Sequence, residues 1–224
     1  QSSDVEGYIA LSIAATNTLS LGNVPITAIT SGTNVYFDKT SPTLTLASSD
    51  SDDLLLGTET VLVTATFSEA MLATPTLAIP GVLSSTAMTA TSSSAVWYFS
   101  LDVTTEFSGK SDGDYTLTVN GEDLAGNAYV GTDSITFTLD TTPPTVTLVD
   151  SGGIENGVGS VLVTATFSEA MDGPSLAIAG PSSSTVSLTA TSDNSIWIYS
   201  LTKSGLTDGD YTFTVSGSDL AGNA

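Results

Sequence analysis

The sequence predicts an all-β fold of tandem sandwiches, and three observations point that way. Apolar residues alternate with period two through runs rich in Val, Thr, Ile and Phe, with turn residues between the runs. No stretch carries a helical period. The chain also repeats itself: Val61–Met71 is identical to Val161–Met171, 100 residues later. The repetition extends beyond that segment. Pro75–Ile79 (PTLAI) answers Pro174–Ile178 (PSLAI), and Trp97 answers Trp197. DGDYT recurs at Asp112 and Asp208, DLAGNA at Asp123 and Asp219, and DKTSPT (Asp38–Thr43) returns as DTTPPT (Asp140–Thr145). One unit is therefore about 100 residues, the size of a single β-sandwich.

Taken in order, the unit that runs from Asp38 reads as seven strands: Thr43–Ala47, Thr60–Ser68, Thr76–Ile79, Thr86–Ala90, Ala95–Leu101, Tyr115–Asn120 and Ser134–Leu139. Alternation assigns their faces. Val61, Val63, Ala65 and Phe67 point one way; Leu62, Thr64, Thr66 and Ser68 point the other. Trp97, Phe99 and Leu101 form a second apolar row, Tyr115, Leu117 and Val119 a third, and Ile135, Phe137 and Leu139 a fourth. The second copy keeps the rows Trp197, Tyr199, Leu201 and Tyr211, Phe213, Val215. Such one-sided rows are buried between two sheets, with Thr-rich outer faces in water.

The two ends of the sequence divide as follows. Residues 38–139 form one complete repeat. Residues 140–224 form a second that stops at DLAGNA, without a counterpart of the last strand. Ile9–Ile13 resembles Tyr115–Val119, and Asn34–Asp38 resembles Thr136–Asp140, so residues 1–37 read as the last two strands of a preceding repeat. The start at Gln1 reads as a cut inside a longer protein. A sandwich short of one strand has an unpaired edge. Either the boundary is arbitrary or a strand from Asn23–Phe37 of another molecule completes residues 140–224, giving head-to-tail filaments.

Composition removes several partners and chemistries. The chain has 24 carboxylates, three lysines (Lys39, Lys110, Lys203), no arginine and no histidine, for a net charge of −21. Phosphate binding needs clustered Lys and Arg, so nucleic acid is excluded and anionic lipid disfavoured. Only 12% of residues are charged and 40% are hydrophobic, which is not the composition of an acidic disordered tail. Without cysteine there are neither disulfides nor thiolate metal sites. No apolar run approaches the length of a membrane helix, so no membrane insertion is expected in this segment. Catalysis is poorly supplied: no Ser–His pair, thiolate nucleophile or guanidinium clamp can form. A glycosidase pair of carboxylates is conceivable, but the acids lie at repeated turns rather than in a cleft. The chain is not expected to be an enzyme.

The pattern D-x-T-x-P-T, V-T-A-T-F-S-E-A-M, D-G-D-Y-T, D-L-A-G-N resembles the bacterial immunoglobulin-like (Ig-like) domains repeated in giant surface adhesins. Here it is carried by Asp38–Thr43 and Asp140–Thr145, Val63–Met71 and Val163–Met171, Asp112–Thr116 and Asp208–Thr212, and Asp123–Asn127 and Asp219–Asn223. The resemblance covers residues 38–224 well and 1–37 loosely. It implies tandem seven-stranded Ig-like sandwiches of Greek-key topology, in an exported, calcium-loving stalk of a long cell-surface polypeptide. Asp133-Ser134-Ile135 and Asp140-Thr141-Thr142 also resemble the O-glycosylation acceptor of Bacteroidetes, which would favour the gliding or surface adhesins of that phylum.

Topology brings separated acids together. If the first strand leaves one pole, the second returns FSEAM to it, the sixth ends there in DLAGN, and the linker supplies the leading Asp. One set is then Asp38, Glu69, Asp123 and Asn127, and the other Asp140, Glu169, Asp219 and Asn223. Carboxylate, amide and carbonyl oxygens are what Ca²⁺ takes, six to eight at a time, whereas Mg²⁺ asks for stricter geometry. The arrangement resembles the cadherin solution of calcium at a junction between sandwiches. The plainer reading is that DGD and AGN are hairpin turns and Glu69 a solvated residue. The hairpin SSDSDD (Ser48–Asp53) lacks the glycine and closing glutamate of an EF-hand loop. Trp97 and Trp197 alternate with core residues and read as core rather than as sugar platforms. Tyr115 and Tyr211 resemble the tyrosine-corner position, and Met71 and Met171 cap the core.

Three functions follow as expectations. The first is a structural extender of a surface adhesin, its junctions stiffened by calcium and its partners the neighbouring repeats. The second is a glycan- or protein-binding module, against which the likeness of the two copies argues. The third is a filament subunit that self-associates by strand exchange.

Overall fold

The computed structural model of the chain describes residues 7–8, 36–55, 59–152 and 158–224. In chain order the strands are β1 (Gly7–Tyr8), β2 (Tyr36–Phe37), β3 (Leu44–Ser48), β4 (Leu54–Leu55), β5 (Thr60–Phe67), β6 (Thr76–Ile79), β7 (Leu83–Ala87), β8 (Thr89–Ala90) and β9 (Val96–Asp102). They continue as β10 (Gly113–Asn120), β11 (Ser134–Leu139), β12 (Val146–Asp150), β13 (Ser160–Phe167), β14 (Met171–Ala179), β15 (Ser184–Ser187), β16 (Thr189–Ala190), β17 (Ile196–Thr202) and β18 (Thr212–Asp219). One short helix, α1 (Val103–Glu106), follows β9. The protein is nearly all-β.

The first repeat forms sheets of order β3-β5-β9-β8 and β4-β11-β10-β6-β7; the second forms β12-β13-β17-β16 and β15-β14-β18. Registers recur between them. β3 pairs with β5 from Leu44↔Phe67 to Ser48↔Val63, and β12 with β13 from Val146↔Phe167 to Asp150↔Val163. Among the described residues β18 pairs with β14 and with no second strand, whereas β10 has β11 beside it.

By contacts the chain divides into two compact units: Gln1–Ser48, Leu62–Ser100 and Leu117–Ile135 form one, and Ser49–Val61, Leu101–Thr116 and Thr136–Ala224 the other. In the first unit Val63, Ala65, Phe67, Leu77, Ile79, Leu117 and Val119 are buried, and Leu62 is exposed. In the second, Val161, Val163, Ala165, Phe167, Leu176, Ile178 and Leu201 come from both sheets of the second repeat and share one core, with Tyr211, Phe213 and Val215 half-buried against it. β12 is exposed along its length, Val146 at 44% where its counterpart Leu44 is at 6%. In the first repeat Leu55, Phe137 and Leu139 are also buried.

The structure departs from the sequence expectation in three elements. The strand read as Thr86–Ala90 is broken between sheets: β7 pairs with β6 and β8 with β9, and the chain crosses at buried Met88, whose N–H donates to the Pro75 carbonyl. The second repeat crosses likewise at buried Leu188, bonded to the Pro174 carbonyl. Helix α1 is too short to leave a periodic signature. It is capped by Asp102, whose Oδ1 accepts from Thr105 N–H and whose Oδ2 accepts from the Thr105 hydroxyl. β4 is an added short strand, parallel to β11 through Leu54↔Thr138 and Leu55↔Leu139. Of residues 1–37, β1 and β2 are described and pair antiparallel; the segments Ile9–Ile13 and 23–35, which carry the preceding-repeat and strand-donation readings, lie outside the described residues.

Candidate metal centres

Each DLAGN segment closes a loop around its own aspartate. Asp123 N–H donates to the Asn127 carbonyl at 3.0 Å. The Asp123 carboxylate in turn accepts from Ala125 N–H at 2.8 Å, Asn127 N–H at 2.9 Å and the Asn127 amide at 2.8 Å. Asp219 repeats this with Asn223, whose backbone N–H and side-chain amide both donate at 2.9 Å. Gly126 and Gly222 make the turn possible at φ +87° and +83°, where a side chain is strained. The cage explains how a carboxylate can be buried: Asp123 is 0% and Asp219 2% exposed. Burial by itself would push the Asp123 carboxyl up, but the Asn127 amide and the backbone N–H groups of Asn127, Ala125 and Gly126 outweigh it and hold the group below its ordinary value.

FSEAM delivers the second acid. Ser68 Oγ accepts from Thr43 N–H at 2.9 Å, and Ser168 Oγ from Thr145 N–H at 2.9 Å, so the serine fastens the start of the first strand to the end of the second. Met71 and Met171 are buried, their N–H groups bonded to the Ser94 and Asn194 carbonyls. The glutamate between serine and methionine is thereby fixed at the rim of the core. The linker supplies the third acid through an Asx-turn: Asp38 Oδ1 accepts from Thr40 N–H, and Asp140 Oδ1 from Thr142 N–H, both at 3.0 Å.

Three elements thus converge twice. Asp38, Glu69 and Asp123 each offer a carboxylate oxygen within 4.8 Å of the others, and Asp140, Glu169 and Asp219 do the same. Each trio lies inside one compact unit. Asn127 and Asn223 stand beside the trios with their NH₂ groups toward the buried aspartate, and Asn223 also donates to the Asp140 carbonyl at 3.1 Å. Burial, followed by the charges of Asp140 and Asp219, pushes the Glu169 carboxyl above its ordinary value. Three hard anionic oxygen donors so placed could hold a metal ion.

Other residues singled out from the sequence take structural places. The indole N–H of Trp97 donates to the Ser94 carbonyl at 3.2 Å, and that of Trp197 to the Asn194 carbonyl at 2.7 Å. Tyr115 hydroxyl donates to the Ser111 carbonyl at 2.7 Å and Tyr211 hydroxyl to the Thr207 carbonyl at 2.9 Å, a tyrosine corner in each repeat. In the first hairpin, burial and a bond shared with Asp52 push the Asp50 carboxyl up to about 6. The serine anchors Ser68 and Ser168 were not foreseen. A hydroxyl that accepts from a backbone N–H has no spacing signature, although the identity of FSEAM in both copies marked the segment.

No helix among the described residues is long and apolar enough to cross a membrane. A search of curated proteins finds no match. Among solved structures, a tetra-tandem repeat in the extending region of a large adhesion protein is similar with a TM-score of 0.39 at 21% identity; the alignment covers 98% of this chain and 58% of that one. The family of bacterial Ig-like domains, group 3, matches residues 99–224, more than half of the sequence. Its members are non-enzymatic structural domains. The chain belongs to the group 3 bacterial Ig-like domains.

Proposed function

We infer that this chain is part of a structural stalk: tandem Ig-like units, 38–139 and 140–224 after the end of a preceding one in 1–37, of a bacterial cell-surface adhesin. The stalk holds a binding module away from the cell. Each sandwich resists extension through its core, and calcium held by Asp38, Glu69 and Asp123, or by Asp140, Glu169 and Asp219, limits bending where one unit follows another. Asn127 and Asn223 hold the buried aspartate of each trio in position.

The observation that carries this reading is the recurrence of one carboxylate trio per repeat, each built partly from the segment that leads into the repeat. An ion there would tie the leading segment to the sandwich behind it. The donor set suits Ca²⁺, which takes carboxylate oxygens and completes its shell with backbone carbonyls and water. It offers neither imidazole nor thiolate, the ligands that favour zinc.

Thermal melting in millimolar CaCl₂ against EDTA, with MgCl₂ as comparison, tests the proposal. At calcium about 100-fold above its dissociation constant, each site adds about 2.7 kcal/mol to stability, read as a higher Tm. An unchanged Tm rejects the calcium reading. A second reading, head-to-tail strand exchange, draws on the edge of β18, which has no strand beside it among the described residues. A strict monomer by light scattering at high protein concentration rejects it.

A further inference from the structure

The trios account for Asp140 but give no role to the hydroxyls of the two threonines after it or to Asp112, in the turn before β10. Within the second compact unit these residues are joined. Asp112 Oδ1 accepts from Thr141 N–H at 2.9 Å and from the Thr141 hydroxyl at 2.6 Å, while Oδ2 accepts from the Thr142 hydroxyl at 2.5 Å. Both oxygens of one carboxylate are therefore taken by two consecutive linker residues. Hydrogen bonds to an ionised acceptor are shorter and stronger than neutral ones. Those from the Thr141 and Thr142 hydroxyls hold the Asp112 carboxyl below its ordinary value. The start of β10, next to this turn, is tied to β11 by Asp114, which accepts from the Thr138 hydroxyl at 2.8 Å.

From the other direction, the Asn223 amide donates to the Asp140 carbonyl, and the Asp140 carboxylate accepts from Thr142 N–H. The tripeptide 140–142 is thus gripped by the turn before β10 and by the loop after β18. Pro143 and Pro144 follow at once and restrict the backbone beyond it. The earlier linker has Lys39 where Thr141 stands, so the two-hydroxyl arrangement is particular to the second linker.

We propose that Asp112 is a metal-independent clasp on the linker, fixing its direction through Thr141 and Thr142 and sharing the tripeptide 140–142 with the carboxylate trio. The clasp rests on the stalk reading for its purpose but needs no cation for its action. A linker held this way stays ordered when calcium is withdrawn, and calcium then adds to an order already present.

The absence of cysteine allows a direct test. Ser92→Cys and Ser192→Cys, both in exposed turns, accept nitroxide labels, and electron–electron double resonance reads the distribution of distances between them. In EDTA, Asp112→Ala and the double change Thr141→Val/Thr142→Val are each expected to widen that distribution at least twofold, with the circular dichroism spectrum unchanged. Asp114→Ala, which leaves the linker bonds intact, is the comparison and should widen it less. Unchanged widths in both clasp variants in EDTA overturn the proposal. The calcium arm is separate: narrowing by Ca²⁺ in the native chain reports on the trio. A clasp that fails while calcium narrows the distribution leaves the metal reading standing, and the reverse result leaves the clasp standing.

Discussion

Three carboxylates within 4.8 Å of one another are a cost until a positive charge joins them, and Glu169 registers that cost. Its carboxyl is pushed up by burial and then by Asp140 and Asp219, so the folded protein takes its proton more readily than the unfolded chain does. The penalty is therefore complete at neutral pH, and it is relieved as pH falls through the raised value toward the ordinary 4.5. Glu169→Gln should raise the melting temperature in EDTA at pH 7, show no gain near pH 4.5, and reduce the rise that calcium brings. A variant less stable than the native chain in EDTA at pH 7 refutes the repulsion account. Much of this site was legible beforehand, because the order of strands alone returns FSEAM and DLAGN to the pole where the linker enters. What strand order cannot convey is side-chain direction. The NH₂ of Asn127 toward Asp123, and the bond from Thr43 N–H to Ser68, follow from packing at a few ångströms.

Among elements, strands with a clean two-residue period were legible, and the rest were not. Val61, Val63, Ala65 and Phe67 are buried as alternation requires, and the same holds for Val161 to Phe167. The crossing at Met88 escaped notice because five residues, Thr86–Ala90, are too few for a two-residue period to reveal a change of sheet. The switch of sheets shows only in which partner each half takes. Helix α1 and strand β4 are too short for any periodic signal. The residues just before DLAGN carry a sharper constraint. A Cβ at Gly121 would sit 2.7 Å from Met71 Cε, and one at Gly217 would sit 2.9 Å from Pro174 Cα. The first neighbour is the end of a flexible side chain, the second is backbone. Gly217→Ala should therefore cost about 1–3 kcal/mol through overpacking, and Gly121→Ala distinctly less. Urea unfolding followed by tryptophan fluorescence measures both; equal losses contradict the distinction between a yielding and a rigid neighbour.

At the scale of the molecule, a net charge of −21 on 224 residues sets two separable responses to ions. General repulsion is screened by any salt, gradually and without saturation, as the Debye length shrinks to about 8 Å at physiological ionic strength. Binding at the trios saturates and discriminates between cations. Sodium chloride should accordingly raise stability along a shallow, unsaturated curve, with calcium adding a plateau at concentrations too low to screen. Removing both glutamates, by Glu69→Gln and Glu169→Gln together, is expected to abolish the plateau and spare the shallow curve. If the plateau survives in that variant, calcium acts elsewhere on the surface.

The identity of Val61–Met71 and Val161–Met171 has a consequence for how such a chain is made. From Val61 and Val161 onward β5 and β13 present the same residues to their neighbours, so when both are available at once each can dock in the other's place and trap a swapped molecule, the characteristic error of repeat proteins. Order of emergence from the ribosome is then part of the fold's fidelity: β5 meets β3 and β9 before β13 exists. Refolding from denaturant removes that head start. It should yield a misassembled fraction that vectorial synthesis avoids.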